Sequence, residues 1–223
     1  MKRQTRRGVA IVEFSFAMLV MIPLLLGTIA FGIRLIQAQR TVQLSRDAAR
    51  MYARGLDFSQ VGNKTILADL GADIGLQSNG TGNSVLILST VTYVDKGLCQ
   101  SAGHSVDPSG NPIGCTNWKY WVFTQRVTVG NAAIRTSNLG SPLLSGTGHV
   151  SVDPDTGKYT LTDQTDNIND RATFVQGNPF VNMSGALNTL PSGQELYVTE
   201  VAVVGFKMPP FANGDMVYSY NVF

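Results

Sequence analysis

From Val9 to Ile33, 25 consecutive residues carry a single charge, Glu13. As a helix rising about 1.5 Å per residue, that run is long enough to cross a hydrocarbon core of about 30 Å. It continues without interruption into a polar, arginine-spaced helical pattern that ends near Gly55. One long helix is therefore predicted, its lower half in a bilayer and its upper half standing clear as a stalk. The residues after it, 56–223, are rich in β-branched runs separated by Gly, Asn and Asp turns. The expected class is α+β: a long N-terminal transmembrane helix continuing into a stalk, packed on a mainly antiparallel β-sheet domain.

The net charge of +2 conceals an asymmetry. Residues 1–8 hold four cations (Lys2, Arg3, Arg6, Arg7) and no anion, and residues 34–54 hold five arginines against Asp47. Residues 56–223 hold eight Lys/Arg against thirteen Asp/Glu. The cations flank the apolar run, so the basic balance speaks for a membrane and not for a nucleic acid. The denser N-terminal cationic flank predicts a cytoplasmic N-terminus and an exported β domain. A cleaved signal peptide is the competing reading, but the run is too long and helical pattern, not a small-residue cleavage site, follows it.

Glu13 needs a reason, because a carboxylate inside a membrane helix is costly and usually has a partner. The bland alternative is a side chain that snorkels toward water or takes up a proton. Its setting is Arg7-Gly8-Val9-Ala10-Ile11-Val12-Glu13-Phe14. A cut after Gly8 would make Val9 a free amine and Glu13 the fifth residue. This stretch resembles the start of bacterial type IV prepilins, and more closely that of the TadE/TadF-like pseudopilins of the tight-adherence (Flp) pilus. The helix end Asp47-Ala48-Ala49-Arg50-Met51-Tyr52-Ala53 is similar to that family's Ala-Ala-Arg pattern. Glu195-Leu-Tyr-Val-Thr-Glu-Val and Gly205-Phe206-Lys207-Met208-Pro209 resemble its closing strand.

The resemblance implies a basic leader at 1–8, a transmembrane and stalk helix at 9–55 and a periplasmic domain at 56–223. It implies processing by a prepilin peptidase at Gly8 and Val9, with retention as an uncleaved anchor as the alternative, and helix docking through Glu13, Phe14 and Pro23. In pilins the new amine of one subunit neutralises the Glu of its neighbour, an ion pair tolerable in lipid only when both charges are satisfied. The implied place is the bacterial inner membrane, single pass. The implied partners are other pilins or pseudopilins and the pilus assembly machinery, with no nucleic acid and no small-molecule substrate. Pro23 reads equally as a kink that neighbouring helices cover and as a tolerated membrane-helix proline.

Beyond the bilayer, Leu35, Ala38, Val42, Ser45, Ala49 and Tyr52 recur at three/four spacing as a narrow packing stripe. Arg40, Arg46, Arg50 and Arg54 cluster on another face, which reads as a solvated or lipid-headgroup face and not as a ligand site. Gly55 is the expected C-cap, and a short helix is expected at Val61–Leu70. Strands are expected at Val85–Val94, Trp118–Val129, Glu195–Lys207 and Met216–Phe223, with shorter ones at Ala132–Arg135, His149–Val152, Lys158–Thr162 and Ala172–Val175. The first two should form a hairpin. Cys99 and Cys115 flank its Gly/Pro/Asn-rich connection and, in an exported domain, read as a disulfide.

His104 and His149 show no metal-ligand spacing, and the sequence contains no phosphate loop, HExxH or GxSxG. Asp153, Asp155, Asp163 and Asp166 are a weak candidate Ca²⁺ set, since their spacing is not that of an EF-hand and Asp is an ordinary turn residue. No cofactor and no enzymatic activity are expected. The rival class is an enzyme, binding module or displayed adhesin that merely uses a membrane anchor.

Overall fold

The computed structural model describes residues 6–173 and 193–223. A single helix, α1 (Arg6–Ala53), runs through the apolar segment, through Pro23 and on into the stalk without a break. Residues 1–5 of the expected leader lie outside the described residues, and residues 6–8 are already helical. The C-terminus of α1 is closed at Gly55. The Gly55 N–H bonds the Tyr52 carbonyl (2.9 Å) and the Leu56 N–H the Met51 carbonyl (3.2 Å). These are the two crossed bonds of a Schellman cap, and the +84° φ at Gly55 is the left-handed turn they require.

Helix α2 (Val61–Leu70) follows, then strand β1 (Ser84–Tyr93), helix α3 (Lys96–Ser101) and strand β2 (Trp121–Gly130). Helix α4 (Leu161–Asp166) leads to strands β3 (Glu195–Val203), β4 (Lys207–Met208), β5 (Ala212–Asn213) and β6 (Val217–Val222). The main sheet has the order β2-β1-β3-β6 and every pairing in it is antiparallel. Strands β4 and β5 make a separate small hairpin.

Alternation decides which face meets what. Leu86 and Leu88 of β1, Val127 and Val129 of β2, and Val201 and Val203 of β3 point to one face, where they pack with Leu44, Ala48 and Tyr52 of α1. On the other face Val91, Phe123 and Val198 pack under Leu139, Val150, Tyr159 and Ala172 from the long segment between β2 and β3. The sheet is thus the middle layer between a helix and an irregular layer. That is why β1 is buried along almost its whole length.

Tyr52 reaches Gln125, Ser45 reaches Thr199 and Asn221, Gln37 reaches Phe206 and Arg34 reaches Asp215. Strand β3 therefore runs antiparallel to α1. The buried helix face is centred on Thr41, Leu44, Ser45, Ala48, Ala49 and Tyr52. This corrects the expected stripe: Leu35 is half exposed, and Ala38 and Val42 sit at its margin. The seam admits a further polar residue, Thr41, beside the expected Ser45, because both have their hydrogen bonds met. Thr41 donates to the Gln37 carbonyl (2.7 Å), and Ser45 accepts at its carbonyl from Thr199 and at its hydroxyl from Asn221.

The four long strands form close to where they are expected, with Glu195–Lys207 ending as strand at Val203. Among the described residues, the expected strands between β2 and β3 do not form. Ala132–Arg135 is a turn, closed by the Ile134 N–H on the Asn131 carbonyl. Of His149–Val152 and Lys158–Thr162 there remains one bridge, Val152 to Tyr159. Residue 161 instead opens α4, because the Thr160 hydroxyl accepts from the Asp163 N–H. Of Ala172–Val175, Ala172 donates to the Trp121 carbonyl (2.9 Å) outside any strand, and residues 174 and 175 lie outside the described residues.

Candidate functional site

Gly8 and Val9 lie in the first turns of α1. Glu13, Phe14 and Pro23 are all exposed, Phe14 to 60%. From Ile11 to Ile29 this helix presents Phe16, Leu19, Met21 and Leu25 outward, each more than half exposed. Residues Ile11–Ala53 contain a window with a mean hydropathy of 2.4, apolar enough to cross a membrane, and the fold itself covers very little of it. Glu13 is therefore a carboxylate on a bare apolar surface.

Cys99 and Cys115 are joined by a disulfide. Cys99 sits in α3, whose first turn is capped by Asp95 accepting from the Leu98 N–H (2.8 Å). The other end of the connection is held by Asn117. Its side-chain amide donates to the carbonyls of Gln164 (3.0 Å) and Asn167 (2.8 Å), and its oxygen accepts from Arg171 Nε (2.8 Å). The disulfide loop and the α4 region form one unit.

The four candidate cation ligands are not brought together. Asp153 turns its carboxylate onto the N–H groups of Asp155 and Thr156. Asp163 accepts from the Ser151 N–H, the Thr160 hydroxyl and Asn167. Burial works to raise its pKa, but those hydrogen bonds outweigh it and hold the carboxyl below the usual range. Asp155 is exposed, and Asp166 pairs with His104 Nε2 at 3.0 Å. His104, Cys115 and Asp166 do converge. The disulfide removes the Cys115 thiolate from that donor set.

Two groupings carry no sequence signal because their residues come from separated segments. The first is a cleft of about 280 Å³ at the stalk's far end, lined by Tyr52, Asp57, Gln125, Lys158, Glu195 and Tyr197 among others. Its polar groups satisfy one another. The Tyr52 hydroxyl donates to Gln125 (2.8 Å) and accepts from Thr90 (2.7 Å), and Lys158 makes two bonds to Glu195 (2.7 and 2.8 Å). Burial pushes the Tyr52 hydroxyl far up. The second is Glu200, 1% exposed, which accepts from the Ser137 hydroxyl, the Asn138 N–H and the Tyr218 hydroxyl. It pins the irregular layer to the sheet.

Residues 8–50 match the family described as TadE-like protein, and the match lies wholly within α1. No curated protein and no solved structure matches the chain. The helix segment that carries Glu13, Phe14 and Pro23 is thus similar to the TadE-like family, the one that the N-terminal motif resembles.

Proposed function

We propose that the protein is a minor, pseudopilin-like structural subunit of a tight-adherence pilus apparatus in the bacterial inner membrane. Its N-terminus is cytoplasmic, its β domain is periplasmic, and its role is mechanical and not catalytic. The observation that carries this reading is the coincidence of the TadE-like match with a helix whose lower half its own fold leaves bare. Lipid covers such a surface before assembly, and neighbouring helices cover it afterwards.

Glu13 supplies the specificity. In lipid its charge has a favourable partner only if a neighbour brings a cation to that depth. The amine created at Val9 by cleavage after Gly8 is such a cation. Processing then licenses docking, because the uncleaved chain has no amine there.

Intact mass of the protein from its native membranes, with and without the prepilin peptidase, tests the processing step. A peptidase-dependent loss of residues 1–8 is expected. Glu13→Gln should insert normally yet lose its crosslinks to other pilins. Full-length mass in both hosts, together with unchanged pili in the Glu13→Gln strain, would reduce the chain to an anchored envelope protein.

A further inference from the structure

The small hairpin β4–β5 runs down α1 toward the apolar run. Its base is tied to the stalk by the Phe206 N–H on Gln37 Oε1 (3.0 Å) and by Arg34 on Asp215 (2.7 Å). Its tip reaches lower. The Phe211 ring would stand 3.5 Å from a Cβ placed on Gly27, an ordinary van der Waals distance, so the ring packs against α1 at that residue. Ala30, three residues above Gly27 and on the same helix face, is 1% exposed while Ile29 and Phe31 are 46% and 70% exposed.

The depth of this contact follows from the helix. A span of about 20 residues crosses the hydrocarbon core, and every such span within the run Val9–Ile33 contains residue 27. At 1.5 Å per residue, Gly27 lies between about 1.5 and about 9 Å below the upper hydrocarbon boundary. Whatever touches Gly27 touches it inside the bilayer edge. What the hairpin presents there is apolar: Met208 and Phe211 are half-buried and Pro209 and Pro210 exposed. The carboxylate at its base, Asp215, is paired with Arg34. Lys207 is exposed and long enough to hold its ammonium among lipid phosphates.

We propose that the tip Met208–Phe211 is a membrane-insertion site, entering the outer edge of the leaflet from which the β domain emerges. The domain is then attached to the bilayer at two points, α1 and the hairpin, and cannot swing freely about the stalk. This rests on the reading that α1 spans a membrane.

The test uses the full chain, disulfide intact, in phosphatidylcholine–phosphatidylglycerol vesicles. Met18→Cys, Met208→Cys and Lys64→Cys are each labelled with the environment-sensitive fluorophore NBD, without reductant. Near-UV circular dichroism matching the parent confirms that each labelled chain is folded. A label at 18 should be quenched by deep lipid-borne nitroxides, a label at 208 by shallow ones, and both should resist aqueous dithionite. A label at 64 should bleach at once. If 208 bleaches like 64 while 18 stays lipid-quenched, the insertion is wrong and the spanning helix stands. If 208 resists dithionite without lipid quenching, a neighbouring protein covers the tip and the proposal is overturned. If 18 also bleaches, the spanning helix fails and the proposal falls with it.

Discussion

Asp170 has both carboxylate oxygens buried without a hydrogen-bond partner, and the residue is fully buried. Burial, reinforced by the charge of Asp163, pushes its pKa up to about 9. Unfolded, the same carboxyl ionises near its ordinary value of about 3.9. Folding therefore takes up a proton between these two values, and stability falls as pH rises through that window. Asp170→Asn keeps the shape and removes the titration. It should stabilise the protein at pH 7 by up to a few kcal/mol, on the order of 1.4 kcal/mol per pH unit above the unfolded pKa. Urea unfolding of the detergent-solubilised chain at several pH values measures it. A pH slope that survives the substitution would rule out Asp170 as its source. Glu200 is the contrasting case, a buried carboxyl with three donors. Glu200→Ala strands those neutral donors and should cost about 1–3 kcal/mol for each that is left buried without a partner. An unchanged urea midpoint would show that the irregular layer is held by other means.

At the scale of elements, what the sequence displayed and what it hid follow one physical division. Strands β1, β2, β3 and β6 were legible because runs such as Val85-Leu-Ile-Leu and Glu195-Leu-Tyr-Val carry β-propensity and sit in a ladder. The 131–173 layer was not, because Asn117, Asn167 and Asp163 shape it through side-chain bonds to distant backbone. Such bonds leave no periodicity. Only Thr160, three residues before Asp163, offered a local signal for α4, and it was outweighed by the β-prone Lys158–Thr162 run. The disulfide was legible from its flanking loop. In the chain-entropy model a bond closing a loop of about this length contributes about 3 kcal/mol. Reducing Cys99–Cys115, separated by 16 residues, should lower stability by about that much in urea titrations with and without a phosphine reductant. Equal midpoints in both would mean that the Asn117 bonds alone hold the loop.

For the whole molecule, the boundary at Gly55 separates two sequence patterns but not two folding units. Leu44, Ala48 and Tyr52 belong to the same core as Leu86, Val127 and Val201. Burying side chains of that size is worth roughly 1.5–3 kcal/mol each. A chain of residues 56–223 loses all three. It also strands Gln125, 5% exposed and bonded to the Tyr52 hydroxyl, and Thr199, whose hydroxyl donates to the Ser45 carbonyl. Together these losses are comparable with the 5–15 kcal/mol that holds a typical domain. A chain of residues 30–223 keeps every one of them, because the buried helix face begins at Ala30. The shorter chain is expected to lack near-UV circular dichroism and a cooperative melt, and the longer one to show both. A cooperative melt from residues 56–223 would mean that the stalk merely carries the β domain. Its absence would mean that force drawn along α1 passes directly into the sheet.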